Sequence, residues 1–372
     1  MIFRKGELFC GPGGLALGCK LPQSINKKTG EVFKVEHTWA NDIDPYACQT
    51  FRKNICPDNP ESVICKDVRE LEIEKLPPID CFTFGFPCND FSIVGEHKGT
   101  DGKYGPLYTY GVKVLNYHNP LFFIAENVGG LQSANEGNAF KKILHDIANA
   151  GKGYNITPHL YKFEEYGVPQ KRHRIIIVGI RKDLNLQFRV PAPTHVDRYV
   201  TAREALEVPP IPPDAANNEQ TRHSSKVIEM LKYIPPGENA WYDGIPEELR
   251  LNVKKVKMSQ IYRRLHPDEP AYTITGSGGG GTHGYHWKEN RALTNRERAR
   301  LQTFPDDFVF EGPKEMVRKQ IGMAVPPLGA KIIMQAILDT FAGNRYKWVE
   351  PKWNFEEMEG NDLVKVLQEQ AN

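Results

Sequence analysis

The chain has 372 residues, enough for two domains and a large core. Its 48 Lys and Arg against 46 Asp and Glu leave a net charge of only +2, so the molecule as a whole is not a basic polyelectrolyte and any nucleic-acid surface must be local. All seven Cys fall within the first 88 residues, an odd number with no C-x2-C clip, which argues against a secreted disulfide framework and against a zinc site. Reduced thiols and no bound metal are expected. The N-terminal segment is charged and poor in apolar residues, so no signal peptide is expected. The apolar runs fall short of the roughly 18 residues a membrane span needs.

Along the chain, Leu8, Phe9 and Cys10 fit a strand end, and Gly11-Pro12-Gly13-Gly14 then allows a tight turn before a helix starting near Leu15. This is a Rossmann-like nucleotide loop. After the apolar stretch around Val35 and Trp39 comes Ala40-Asn41-Asp42-Ile43-Asp44, where Asp42 is placed to bind ribose hydroxyls at the end of a second strand. The polar segment from Leu21 to Gly30 reads as a loop insertion between the two. The run from Ile79 to Phe86 reads as a buried strand that Pro87 stops. Cys88 follows at once, outside the carboxyl end of a strand, where doubly wound sheets place their chemistry. An isolated Cys of this kind would read as a buried, inert thiol; the segments around it point elsewhere. In Phe122-Phe123-Ile124-Ala125-Glu126-Asn127-Val128, a carboxylate again closes an apolar strand, and burial there would raise its pKa and suit Glu126 to hold or donate a proton. Pro169-Gln170-Lys171-Arg172-His173-Arg174 precedes the strand Ile175 to Val178, and Arg172 and Arg174 share one face of an extended chain, fit to clamp a phosphate or a base carbonyl.

Up to about residue 185, strand-like and helix-like patterns alternate, which predicts βαβ units and a mostly parallel sheet. Pro191, Pro193, Pro209, Pro210, Pro212 and Pro213 then break the rhythm and lead into a second, smaller, irregular region. That region holds a local basic run from Leu251 to Arg264, with Lys254, Lys255, Lys257, Arg263 and Arg264 and no acidic residue, followed by a Gly-rich turn around Gly276 and Gly278 to Gly281. Helical spacing returns at Asn295 to Gln302 and at Leu328 to Phe341. Leu363-Val364 and Val366-Leu367 give the end of the chain the pattern of a surface helix.

Taken in this order, the Gly-rich turn, Gly85-Phe86-Pro87-Cys88, Glu126-Asn127-Val128, Gln170-Lys171-Arg172-His173-Arg174, Arg291 to Asp306 and Gln320-Ile321-Gly322-Met323-Ala324-Val325-Pro326-Pro327 resemble the cytosine-5 DNA methyltransferase family of bacterial restriction-modification type, from about Phe3 to Ile333. The resemblance implies an α/β, Rossmann-like S-adenosylmethionine-dependent catalytic domain, discontinuous over 1–188 and 318–345. It also implies an inserted target-recognition domain at 189–317 and a tail at 346–372. It implies Cys88 as the nucleophile on carbon 6 of a flipped-out cytosine and Glu126 as the proton-bearing acid at ring nitrogen 3. Asn127 would hold local geometry, and Arg174, with Arg172, would contact the base carbonyl or a phosphate. Phe9, Gly11, Gly13, Gly14, Asp42, Ile43, Asp67, Val68, Pro87 and Leu107 would line the cofactor. Met323 stands where the family usually has Asn, which predicts weakened cofactor binding. Asn89, Ser92, Thr273, Thr275 and the basic run would meet DNA, and the segment from Asn89 to Tyr104 would form a closing loop. The implied partners are double-stranded DNA, bound by a monomer, and a cognate restriction endonuclease that acts on the same sequence without direct contact. The implied place is the bacterial cytoplasm, at the nucleoid. Two other readings share the motifs. A tRNA cytosine methyltransferase would carry Cys-Phe-Thr in the recognition region, whereas Cys81-Phe82-Thr83 lies in the strand before the nucleophile. A silent DNA-binding regulator would not keep Cys88, Glu126 and Arg174 together.

Overall fold

A computed structural model describes residues 1–86, 107–131, 138–252, 258–276 and 280–358. Its centre is an eight-stranded sheet formed by β1 (Ile2–Leu8), β2 (Gln23–Ile25), β3 (Val32–Asp42), β4 (Val63–Cys65), β5 (Cys81–Gly85), β6 (Phe122–Val128), β7 (Tyr154–Lys162) and β9 (His173–Arg181), with the short β8 (Gln170–Lys171) lying outside it. The strand order is β2-β3-β1-β5-β6-β9-β7, and β4 pairs with the carboxyl half of β3. Strands β4, β3, β1, β5 and β6 are mutually parallel; β9 runs antiparallel to both neighbours, and β2 is an antiparallel edge. The insertion expected between Leu21 and Gly30 thus supplies a strand of its own. Winding proceeds from β1 toward β3 on one side and from β5 toward β6 on the other. The direction reverses between β1 and β5, the topological switch point where doubly wound sheets open a crevice.

Both faces of the sheet are covered, which is why its central strands read as continuous apolar runs and not as alternations. One face packs against α3 (Tyr108–His118) and α4 (Asn138–Ala148) through Phe82, Phe84, Phe123, Leu115, Ile143 and Leu144. The other packs against α9 (Pro327–Phe341) through Phe3, Phe122, Ile124, Ile333, Met334 and Ile337. Helix α9 also lies directly on α1 (Gly14–Lys20). A side chain at Gly18 would come within 2.4 Å of Ala330 Cβ and 2.5 Å of the Pro327 carbonyl, so the contact depends on the missing Cβ. Helix α8 (Lys314–Met323) precedes α9, and the stretch Lys314–Phe341 is long and apolar enough to cross a bilayer by length and composition. Its most apolar window is 72% buried inside the fold, as expected of a core helix.

The packing differs from the expected domain limits. Residues at α5 (Ala202–Glu207), α7 (Asn295–Leu301) and the aromatic trio Phe304, Phe308 and Phe310 share one buried cluster with α1 and with α2 (Pro45–Asn54), through Ala16, Cys48, Phe51 and Ile55. The smaller core that stands apart contains Met230, Leu231, Ile234, Ile245, Tyr285 and Ala292, around α6 (Ser225–Leu231). A recognition domain of 189–317 is therefore too wide, because both of its flanks are built into the large domain. The expected tail is also partly structural. β10 (Val190–Pro191) pairs with β12 (Trp348–Val349), and Trp353 sits edge-on to Phe140 of α4 at 5.0 Å. The predicted C-terminal surface helix lies outside the described residues.

Candidate active site at the switch point

The carboxyl ends of four parallel strands meet at the crevice. In register, Leu8 lies beside Asn41 and beside Phe84, and Gly85 lies beside Glu126. The loop after β1 turns through positive φ at Phe9 (55°), Gly11 (52°) and Gly13 (99°). Phe9 adopts a conformation that side-chain-bearing residues rarely take, the kind of local strain that clusters at ligand sites. Gly14 cannot carry a side chain, since a Cβ would lie 2.3 Å from the Val325 carbonyl. A Cβ at Gly11 would meet nothing within 4 Å, so the loop faces open space there.

Asp42 ends β3 and closes this loop. One carboxylate oxygen accepts from the Gly11 N–H at 2.8 Å and the other from the Asp44 N–H at 2.9 Å. Burial raises its pKa, and those backbone donors oppose the shift. Asp44 caps α2 through the Tyr46 and Ala47 N–H groups, and its second oxygen takes Lys319 Nζ at 3.1 Å. Ile43, between the two acids, is 65% exposed. A bare apolar side chain beside an anchored carboxylate and an open Gly-lined loop fits an adenosine group, with a wall for the base and an acceptor for ribose. Asp67 follows β4 and caps the next turn; Arg69 grips its carboxylate and holds it at a pKa of about 2. Val68 is buried in the core beneath, and Leu107 and Phe9 pack against the same core. Met323, at the end of α8, is 65% exposed.

The second half of the site lies on β6 and β9. Arg174 opposes Val128 and Ile176 opposes Glu126 in the antiparallel pairing. Side chains two apart share a face, so Arg174 becomes the diagonal neighbour of Glu126. The guanidinium Nε lies 3.0 Å from Glu126 Oε1, with both side chains largely buried. Burial pushes the Glu126 carboxyl above its ordinary pKa, while Arg174 and, more remotely, Arg172 pull it down. Gly85 makes room for the carboxylate: a Cβ there would stand 3.0 Å from Glu126 Oε2. Asn127 turns inward, donating from Nδ2 to the Phe86 carbonyl at 3.1 Å and accepting the Val128 N–H at 2.8 Å. That bond fixes the last described residue before Pro87 and Cys88. Pro87, Cys88, Asn89, Ser92, the segment from Asn89 to Tyr104, Lys254, Lys255 and Lys257 lie outside the described residues.

Two basic residues are placed differently from expectation. Arg172 is 1% exposed, and its guanidinium donates to the Ile274 carbonyl at 3.1 Å and the Gly322 carbonyl at 2.8 Å. It is a tie between segments and has no open face toward a base or phosphate. Arg264 is 3% exposed and donates to the carbonyls of Leu231, His286 and Glu289 and to the Asn290 side chain. It anchors the small core and cannot meet DNA. Thr273, half-buried, donates its hydroxyl to the Lys171 carbonyl at 2.6 Å, and Thr275 next along is exposed. Sequence reasoning missed Gln170, which is buried, donates to Gln302 Oε1 at 3.0 Å and accepts the Ile274 N–H at 2.8 Å. Its signal was available, since Gln170, Arg172 and Arg174 repeat with the period of an extended chain. It missed Lys319 as the partner of Asp44. It also missed the buried Lys5–Glu7 pair that sits beside Thr83 within the sheet.

A family model for C-5 cytosine-specific DNA methylases matches residues 3–339. The chain is 70% identical to Type II methyltransferase M.BbvI of Brevibacillus brevis, over 99% of this chain and all of that one. It is 42% identical to Type II methyltransferase M.NgoFVII of Neisseria gonorrhoeae, over 92% of this chain and 88% of that one. Among solved structures, a prophage-encoded chain of E. coli described as a DNA modification methyltransferase superposes with a TM-score of 0.63 at 25% identity, covering 91% of this chain and 99% of that one. With the nucleotide crevice, the Glu126–Arg174 pair and this span of similarity in place, the chain belongs to the C-5 cytosine-specific DNA methylases, enzymes that take their methyl group from S-adenosylmethionine.

Proposed function

We propose that this enzyme methylates one cytosine within a short, specific double-stranded DNA sequence, as the modification partner of a restriction endonuclease that acts on the same sequence. The observation that carries the reading is the Glu126–Arg174 pair, set at the sheet's carboxyl edge one strand away from the segment leading to Cys88. Carbon 5 of cytosine is a weak nucleophile, and addition of a thiolate to carbon 6 makes it enamine-like. Cys88 supplies the thiolate, and the electron pair of the ring moves toward nitrogen 3. Glu126, whose carboxyl burial shifts toward the protonated form, supplies a hydrogen bond there. Arg174 keeps that carboxyl in place and presents its remaining N–H groups to the base carbonyl or an adjoining phosphate. Asn127 acts through the Phe86 carbonyl as a positioning residue for the nucleophile. S-adenosylmethionine, held by Asp42, Ile43 and the loop from Phe9 to Gly14, supplies an electrophilic methyl group. Loss of the carbon 5 proton to a water molecule and departure of Cys88 as a thiolate restore aromaticity. A base inside a duplex cannot reach Glu126, so the target cytosine is flipped out of the stack. The enzyme acts as a monomer on DNA in the bacterial cytoplasm, at the nucleoid.

Cys88→Ser tests the covalent step. Turnover on DNA should fall below detection while calorimetry shows cofactor affinity within about twofold of wild type. Normal turnover in that variant would defeat the mechanism.

A further inference from the structure

Residues 262–264 carry an arrangement that neither the cofactor crevice nor the Glu126–Arg174 pair explains. Arg264 points inward and is anchored by carbonyls on three sides. Arg263, the residue before it, is partly exposed. Tyr262, on the other side, has φ 47°, a conformation a Tyr adopts only when its surroundings hold it there. They do: its N–H donates to the Gly281 carbonyl at 2.7 Å, and its ring lies 5.3 Å from that of Tyr285. Arg263 sits between these two fixed residues. Its carbonyl accepts both the Tyr285 N–H at 2.9 Å and the Tyr272 hydroxyl at 2.7 Å. Its guanidinium lies over the Tyr272 ring, 4.7 Å from the centroid. Among the described residues no close hydrogen bond or ion pair engages that guanidinium; Glu269, which feels its charge, is bonded to Lys171 at 2.9 Å. The platform itself is tied to the catalytic edge, because Ala271–Tyr272 forms β11, which pairs with β8 just before Arg172 and Arg174.

A guanidinium stacked on an aromatic face keeps its planar fork in one orientation with its donors free, and little rotamer freedom remains to be lost on binding. Such a fork can grip a phosphate or a base edge, and only the base edge carries sequence information. A fork fixed in plane matches the two acceptors, O6 and N7, that guanine shows in the major groove. Building on the DNA-methylating reading above, we propose that Arg263 is a specificity-determining residue that reads one guanine of the recognition sequence, with Tyr272 as its positioning residue.

The test is bisulfite sequencing of DNA from bacteria expressing the wild-type chain, Arg263→Lys, Arg263→Gln, Tyr272→Phe and Tyr272→Leu. In the wild type, methylated cytosines should share one motif. In Arg263→Gln and Arg263→Lys, the preference for G at a single motif position should fall by roughly 5- to 150-fold, with the other positions unchanged. Lys keeps the charge and loses the fork, so its failure to rescue separates base reading from simple attraction. Tyr272→Phe should keep the wild-type motif, and Tyr272→Leu should relax the same position as the Arg263 variants. An unchanged motif, or methylation reduced equally at every site, would overturn the proposal and make Arg263 a backbone contact or a bystander. Unmethylated DNA from the wild type would overturn the methylation reading itself, and this one with it.

Discussion

Glu126 and Asp42 are two carboxylates placed in different environments. Both are buried at strand ends, and in both burial raises the pKa. Asp42 has a backbone N–H on each oxygen, so its charge is solvated by the loop it organises, and it serves as an acceptor. Glu126 meets the Arg174 guanidinium through Oε1, and its Oε2 lies beside Gly85. Met323, at the end of α8, is the position expected to depart from the family pattern beside the cofactor. Its exposed thioether offers no hydrogen-bond donor where an Asn would offer an amide. Met323→Asn should tighten S-adenosylmethionine binding several-fold by calorimetry; unchanged affinity would mean that position 323 makes no cofactor contact here. The Glu126–Arg174 juxtaposition was legible because each residue stands at the end of an apolar strand run. The ties were not: Arg172 and Arg264 look the same in sequence as an arginine that meets DNA, and only burial separates them.

At the scale of elements, the site depends on close approaches that small residues permit. Gly14 and Gly18 let α1 lie against the turn before α9 and against α9 itself, which fixes the loop from Phe9 to Gly14 from behind. Gly18→Val would push a branched side chain into the Ala330 methyl and the Pro327 carbonyl. Such overpacking costs about 1–3 kcal/mol, and urea unfolding should report a loss of that size together with weaker cofactor binding. A loss under about 0.5 kcal/mol would show that α9 yields easily. The strands of this sheet were readable as apolar runs bounded by turn residues, and so was the final helix. The edge strand β2 was not, since Gln23-Ser24-Ile25 is polar and short, and its pairing with β3 is a tertiary event that no local pattern announces.

For the whole molecule, pH stability is set partly by histidines held neutral. His37, on β3, donates or accepts at Ser62 through Nε2 at 2.8 Å, and burial lowers its pKa to about 3. His159, on β7, is lowered to about 4 by burial and by Lys352. Unfolded, each takes a proton near the ordinary value of about 6.5; folded, each refuses it until well below. The contribution to stability is therefore complete above about pH 6.5 and is lost as pH falls toward the folded values. The thermal midpoint should drop between about pH 7.5 and about pH 5, and His37→Gln should drop less over the same range. An equal drop in both would place the acid sensitivity elsewhere. Domain limits were the least legible property at this scale. Composition marks the Pro-rich stretch as a linker, but Phe304, Phe308 and Phe310 join the core around α1 and α2 through contacts remote in sequence, which periodicity cannot show.

The single guanidinium of Arg172 holds the Ile274 carbonyl, after β11, and the Gly322 carbonyl, near the end of α8. It sits two residues before Arg174, just ahead of β9, the strand that faces Glu126. Three frames of reference, for the sequence being read, the methyl donor and the reacting base, are thereby surveyed from one benchmark. That arrangement divides the inserted region into an exchangeable cassette and a fixed footing. On the proposal made for Arg263, residues from α6 to Arg263 are expected to vary with the sequence to be recognised, whereas 271–276 is expected to keep its path over Arg172. Chimeras between relatives should retain catalysis when their joints fall before Ala271 and lose it when they fall within that footing.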